Sequence, residues 1–255
     1  MIKVAVAGYA GRMGSAVVDA VNAADDMEVI CGIDPFGKEA PFTTFTSIDE
    51  LLGSDVAPDV LVDFTQPSVV ATTLSKALPA GIDCVVGTTG MSNETLDALA
   101  SSAAEGTCLF YAPNFTTGAV LMMQFAKAAA PFFPEAEVIE LHHCNKKDAP
   151  SGTAVRTAQM ISAARDFESA APGSETELAG CEGARGALVD GVPVHSVRSM
   201  GYVASQEVIF GSMGQSLTIR HDSWDRTSYM PGVLLGIREV GPRAGLIVGL
   251  ENFMM

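Results

Sequence analysis

Residues 2–24 impose the strongest constraint on the fold. An apolar run, Ile2 to Ala7, ends in Gly8-Tyr9-Ala10-Gly11-Arg12-Met13-Gly14. Met13, Ala16, Val17, Ala20, Val21 and Ala24 then recur at the three-and-four spacing of an amphipathic helix. A strand, a G-x-x-G-x-x-G turn and a helix in that order open a parallel β-α-β unit. Small residues at the turn let backbone N–H groups approach a pyrophosphate at the helix N-terminus. A glycine turn alone also serves simply to join two elements tightly. The order of the elements is what points to a dinucleotide, with Gly8, Gly11, Arg12 and Met13 as its contacts.

Asp34 lies 20 residues past Gly14, at the end of a second strand signal, Met27 to Ile33. A carboxylate there accepts hydrogen bonds from ribose hydroxyls and repels a 2′-phosphate, so the reading leans towards NADH over NADPH. Arg12 and Lys38 offer compensating positive charge, which leaves use of both cofactors open. Strand and helix signals continue to alternate through Val60–Phe64, a helix from Pro67, Asp83–Gly87, a Ser92-capped helix and Thr107–Ala112. That alternation is expected of a doubly wound parallel sheet. Ligands of such sheets bind beyond the carboxyl ends of the strands. This adds Thr65, Gly87, Thr88, Thr89, Ala112, Asn114 and Phe115 to the cofactor-binding candidates.

The pattern changes after Pro113-Asn114. A helix is expected over 117–130, a strand over 137–143 and a helix over 151–165. Residues 166–191 are acidic and rich in Gly, Ala and Ser, as expected of a surface loop or flap. Strand signals then follow without intervening helices, at 192–197, 202–210 and 216–221, with Ser212-Met213-Gly214-Gln215 as a hairpin turn. This predicts an open, partly antiparallel sheet. The tail reads helix (230–240) then strand (246–250), returning to the first domain. The expected division is 1–115 completed by 223–255, and 116–222.

The densest chemistry lies between Glu137 and Ala154. Two adjacent histidines, His142 and His143, end a strand, and Lys146 follows within one loop. Ser151-Gly152-Thr153 then opens a helix whose free N–H groups form an anion site. Imidazole, ammonium and a helix N-terminus together suit carboxylate binding and proton delivery. Two rival chemistries use the same residues. His142, His143 and Cys144 are poor metal ligands as a set, because neighbours on a strand diverge, so no metal is expected. Cys144 as the nucleophile of an NAD-dependent semialdehyde dehydrogenase would need spatial pairing with a base, which sequence adjacency does not supply. A non-catalytic NADH-binding redox sensor is a third reading.

The whole segment resembles the signature of the 4-hydroxy-tetrahydrodipicolinate reductase (dihydrodipicolinate reductase) family, E-[VI]-x-E-x-H-x-x-x-K-x-D-x-P-S-G-T-A. Every fixed position of that signature is met. The resemblance extends to the glycine turn, Asp63-Phe64-Thr65, Gly87-Thr88-Thr89-Gly90, Ala112–Phe115 and Arg220-His221-Asp222. It implies an N-terminal Rossmann-like domain and a C-terminal α+β domain with an open mixed sheet, assembled through that sheet into a homotetramer. It also implies hydride transfer from NADH or NADPH to a cyclic dicarboxylate in the diaminopimelate route to lysine. By position, His142 is the implied proton donor, Lys146 its partner, and His143 a substrate contact. Gly152 and Thr153 are implied to hold a substrate carboxylate, and the physical reading of the helix start adds Ser151 to them. One departure concerns Pro35, which stands where an arginine beside the acidic residue would favour NADPH.

Composition narrows the partners. With 15 Lys+Arg against 30 Asp+Glu the net charge is −15. Nucleic-acid binding needs a cation surplus, and an anionic membrane surface is disfavoured for the same reason. The most apolar stretch, Gly118 to Phe133, is interrupted by Gln124 and Lys127, short of the roughly 18 apolar residues of a membrane span. Five cysteines without a C-x-x-C pair read as free thiols of a reducing cytoplasm, and the N-terminus lacks signal-peptide anatomy. The few cations near His142, His143 and the glycine turn then mark where anionic ligands are expected.

Overall fold

The computed structural model describes residues 1–166 and 183–254. In chain order it contains β1 (Ile2–Ala7), α1 (Arg12–Asn22), β2 (Met27–Ile33), β3 (Thr43–Phe45), α2 (Ile48–Leu52), β4 (Val60–Asp63) and α3 (Pro67–Ala77). These are followed by β5 (Asp83–Val86), α4 (Asn93–Ser101), β6 (Cys108–Tyr111), α5 (Thr117–Ala129), β7 (Glu135–His142) and α6 (Gly152–Ala163). The remainder comprises β8 (Ala187–Val189), β9 (Val192–Arg198), β10 (Ala204–Ser212), β11 (Gln215–Ser223), α7 (Met230–Val240) and β12 (Gly245–Val248). Two compact units result, Met1–Thr117 with Arg226–Met255, and Gly118–Asp225.

The first unit is a seven-stranded sheet in the order β12-β6-β5-β4-β1-β2-β3, every described pairing parallel. Both faces are covered, so its strands are continuous apolar runs instead of alternating ones. Ala5, Ala7, Leu61, Cys84, Val86 and Leu109 pack with Val70 and Leu74 of α3 and Leu96 and Leu99 of α4. Val85 and Phe110 meet α7, which comes from the C-terminal end of the chain. The doubly wound architecture expected from the alternation is therefore present, and the tail supplies its last helix and strand.

Residues 34–59, where the sequence pattern suggested no element, hold β3 and α2. Helix α2 is started by Ser47, whose Oγ accepts the Glu50 N–H at 3.3 Å, while Glu50 reaches back to the N–H of Thr46 at 2.7 Å. This reciprocal capping stabilises a helix too short for hydrophobic periodicity to reveal.

The second unit is an open mixed sheet, β11-β10-β7-β9-β8 among the described residues, with β7 and β9 parallel and the other pairs antiparallel. Ala136, Val138 and Glu140 of β7 alternate onto its buried face, with Val194, Val208 and Phe210. Helix α6 packs on β7 and β9. Of the stretch expected to be a loop or flap, residues 167–182 lie outside the described residues, and Ala187–Val189 is strand.

One glycine of α7 ties this helix to the chain entering α5. A Cβ on Gly232 would stand 2.0 Å from the Phe115 carbonyl oxygen. Gly232→Ala is therefore expected to destabilise the protein by about 1–3 kcal/mol despite alanine's higher helix propensity. Urea denaturation checks this. Unchanged or higher stability would show that the backbone gives way without cost.

Candidate active site

In the first unit β1 delivers Gly8 into a positive-φ conformation (φ 77°) that glycine adopts without strain. Its N–H donates to the Ile33 carbonyl at 2.8 Å, and the Gly11 N–H donates to the Gly8 carbonyl at 3.0 Å. A Cβ on Gly14 would lie 2.0 Å from the Gly8 carbonyl oxygen, so only glycine lets α1 begin this close to β1. Gly11 provides no side-chain cap. The first N–H groups of α1 thus open beside Gly11 and Arg12, both exposed, with Met13 half-buried behind them. This cradle fits a pyrophosphate.

Tyr9, inside the glycine turn, was not singled out by the sequence pattern. It is buried, its hydroxyl donates to the Lys38 carbonyl at 2.6 Å, and its ring fills a notch that a Cβ on Gly32 or Gly37 would occupy. The turn is thereby latched to the loop bearing Asp34. Half-buried beyond β2, Asp34 accepts the Phe36 N–H at 2.9 Å through Oδ1.

A second buried device holds the neighbouring strand ends. Asp63, fully buried at the end of β4, receives three hydrogen bonds on Oδ1. They come from the Thr65 N–H at 3.0 Å, the Thr65 hydroxyl at 2.8 Å and the Thr88 hydroxyl at 2.7 Å. Its Oδ2 has no hydrogen-bond partner among the described residues. Burial pushes the carboxyl up, only partly offset by these donors. Thr65 in turn lies against Gly8, its Cγ2 3.3 Å from where a Cβ would stand. Gly87 makes room for the Phe64 ring, which packs on Phe115 with centroids 5.6 Å apart.

The strand-end candidates therefore divide. Thr89 is exposed, and Asn114 is half-buried with its Oδ1 accepting the Thr116 N–H at 2.8 Å. Thr88 and Ala112 are buried, and the Phe115 ring belongs to the core between Phe64 and Phe110. For Ala112 and Phe115, backbone atoms are the groups left to face a ligand.

In the second unit the chemistry gathers around Glu140. It points inward with Val138 and is fully buried. His142, two residues on, shares its face, and His142 Nδ1 hydrogen-bonds Glu140 Oε2. Arg198 lies opposite His142 in the β7–β9 register and grips both oxygens, Nη1 to Oε2 at 2.8 Å and Nη2 to Oε1 at 2.7 Å. The Ser151 N–H donates to Oε1 at 3.3 Å, while Ser151 Oγ caps α6 by accepting the Ala154 N–H at 3.2 Å. Arg198 Nη2 also donates to the Asp148 carbonyl at 2.7 Å, and the Asp148 carboxylate pairs with Lys146 Nζ at 2.9 Å. One network therefore joins His142, Lys146 and the start of α6.

Burial pushes the Glu140 carboxyl up, but hydrogen bonds from Arg198, Ser196 and His142 together outweigh it and hold the group below the usual carboxylate range. Burial also lowers the His142 imidazole. Glu140 opposes this, while Lys146 and Arg198 reinforce it. His143 falls just past the end of β7 and is exposed, so the strand alternation expected to separate it from His142 does not reach it. Gly152 is open, with nothing among the described residues within 4 Å of a Cβ placed there, and Thr153 is half-buried. Cys144 is an exposed thiol on the same turn. Glu140 is a fixed position of the signature, but its role needed the structure. Arg198 sits 56 residues from His142, and no local pattern marks it.

Residues 2–115 match the family model for the dihydrodipicolinate reductase N-terminus, and residues 118–254 match that for its C-terminus. The chain belongs to the dihydrodipicolinate reductase family. It is 50% identical over 257 residues to the 4-hydroxy-tetrahydrodipicolinate reductase of Nocardia farcinica, covering 99% of this chain and 98% of the relative. It is 49% identical over 255 residues to that of Mycolicibacterium vanbaalenii, covering 99% of each. The solved structure of a dipicolinate-bound dihydrodipicolinate reductase from Paenisporosarcina sp. superposes with a TM-score of 0.87 at 40% identity, covering 99% of both chains. A probable dehydrogenase from Thermotoga maritima, at 13% identity and a TM-score of 0.64 over 99% of this chain and 92% of its own, shares the fold alone. Family membership leaves the semialdehyde-dehydrogenase and redox-sensor readings without support.

The Asp63 device carries a test. Asp63→Ala strands three donors, two of them hydroxyls, and is expected to cost about 1–3 kcal/mol and weaken nicotinamide-nucleotide binding, measured by urea denaturation and nucleotide fluorescence. Asp63→Asn keeps an accepting oxygen and is expected to bind the nucleotide nearly as the parent does. Because the folded protein holds the Asp63 proton more firmly than the unfolded chain, the carboxyl favours folding at acid pH, and this contribution is lost as pH rises through its raised folded value. Asp63→Asn is expected to remove that dependence. Parent-like nucleotide binding by Asp63→Ala would show that Asp63 does not hold the turn.

Proposed function

We propose that this chain reduces 4-hydroxy-tetrahydrodipicolinate to tetrahydrodipicolinate with a nicotinamide nucleotide, in the diaminopimelate route to lysine. The observation that carries the reading is the network in which His142 and the α6 N-terminus meet the buried Glu140 carboxylate and Arg198 links that carboxylate to Asp148, the partner of Lys146, in a chain that matches the family over its whole length. The unit completed by the C-terminal tail is assigned the dinucleotide, and the Gly118–Asp225 unit the substrate and the assembly of a cytoplasmic homotetramer. The tetramer and the location rest on family resemblance. Among the described residues no helix is long and apolar enough to cross a membrane.

The dipicolinate in the solved relative supports a cyclic dicarboxylate as ligand. Such a dianion suits what this chain presents. Lys146, anchored by Asp148, supplies a full positive charge, and the N–H groups of Gly152 and Thr153 supply the helix end. Ser151 orients that end through its cap, and exposed His143 completes the contacts. A reduced nicotinamide bound at the glycine turn supplies the hydride. Loss of the 4-hydroxyl as water leaves a conjugated dihydrodipicolinate ring; with the hydride that ring must also gain one proton, and His142 delivers it from Nε2, the ring nitrogen not engaged by Glu140. Lys146 stabilises charge as it develops beside the carboxylates.

His142→Ala and Lys146→Ala are each expected to lower kcat by about 10²- to 10⁴-fold while leaving nucleotide affinity unchanged. The assay couples the preceding synthase, with pyruvate and aspartate semialdehyde, to oxidation of NADH or NADPH. Full turnover in either variant would remove its assigned role, and no oxidation of either nucleotide by the parent protein would overturn the reaction.

For the nucleotide, Asp34 favours NADH through the ribose hydroxyls, with Lys38 and Arg12 as the nearby cations. Asp34→Ser is expected to lower the NADH-to-NADPH ratio of kcat/KM by roughly ten- to a hundredfold, the worth of charge-assisted hydrogen bonds. An unchanged ratio would place nucleotide selection elsewhere.

A further inference from the structure

The proton-delivering ring needs a defined tautomer and a defined direction, and neither is set by His142 itself. A neutral imidazole has one N–H and one bare nitrogen, and the partner of the first decides which is which. Here Nδ1 meets Glu140, a carboxylate that accepts but does not donate, so Nδ1 bears the hydrogen and Nε2 is the nitrogen that gains and loses a proton. The same carboxylate is clamped by both Arg198 terminal nitrogens and by the Ser151 N–H at the start of α6. It has no freedom to turn away. The charged groups that face the ring are Glu140 on its own strand, Lys146 from the following turn and Arg198 from β9.

We propose that Glu140 is the positioning residue of this site. It fixes the His142 tautomer, provides the counter-charge that makes the imidazolium accessible, and holds the ring in register with the α6 N-terminus through Arg198 and Ser151. This rests on the reading of His142 as proton donor, but the positioning itself is a property of the ring and is measurable without turnover. Arg198 is the second half of the device. It balances the buried carboxylate, and its hydrogen bond to the Asp148 carbonyl places the residue that anchors Lys146. Proton donor and ammonium are therefore set by one ion pair. The signature spacing has a physical meaning on this view. Glu140 and His142 two apart share a strand face, and eleven residues from Glu140 to Ser151 close the loop that brings the helix start back to the carboxylate.

The test uses the full-length protein with Glu140→Gln. The amide keeps a hydrogen-bond acceptor but no charge. Ring-nitrogen NMR of ¹⁵N-histidine-labelled protein is expected to show the His142 titration moving to lower pH by about one unit or more, since an opposite charge within hydrogen-bond distance is worth one to three. The alkaline limb of kcat/KM is expected to move with it, because the protonated ring is the active form. Glu140→Asp, which restores the charge, is expected to recover part of the shift.

Should the lone Gln variant fail to fold with an uncompensated guanidinium inside it, Glu140→Gln with Arg198→Gln removes both charges. Its His142 titration is still expected below that of the parent. An unmoved His142 titration and an unchanged Nδ1–H tautomer, in whichever variant folds, would overturn the positioning role. A moved titration with an unmoved kinetic limb would instead leave the positioning intact and overturn His142 as the donor.

Discussion

A carboxylate removed from water costs several kcal/mol unless charges and donors surround it, and Glu140 is such a group. The cost is met by the Arg198 fork, the His142 ring and the Ser151 N–H arriving together. Loss of any one of the three leaves the buried carboxylate less well satisfied. Strand β9 must pair parallel to β7 so that Arg198 stands opposite His142. The loop 143–150 must return so that α6 starts over the carboxylate. Much of the second unit's geometry follows from satisfying that one buried charge.

The first unit solves a related problem without an ion pair. Its glycine turn must lie close to β1 and yet keep a single shape. Gly8 and Gly14 permit the approach, while Tyr9 and Asp63 remove the freedom that glycine brings. Tyr9 fastens the turn to the Asp34 loop. Asp63 fastens Thr65 beside Gly8 and Thr88 beside Gly87. Buried polar groups, each with defined partners, thus do for the turn what apolar packing does for the sheet.

Where local periodicity carries the information, the elements could be read directly. β2 and α7 fall where their apolar patterns place them, and Ser92 caps α4 as its spacing to the helix suggests. β3 and α2 were invisible because three- and five-residue elements have no period to detect. β8 was hidden in a stretch whose composition reads as loop, since a short edge strand draws its stability from β9. The Glu137–Ala154 segment was legible as a site because its residue types are chemically unusual together. Its organisation was not, because Arg198 belongs to another strand.

By itself the sequence determined the order of the longer strands and helices, the glycine turn, the cationic islands in an acidic chain and the signature that marks the family. These are local properties, written in neighbouring residues. Only the tertiary structure decided that Glu140 faces His142, that Arg198 joins them, that Asp63 bridges two strand ends and that the Phe115 ring belongs to the core. Each of those depends on strand register, and register is set by the packing of whole sheets, which no short window of sequence contains.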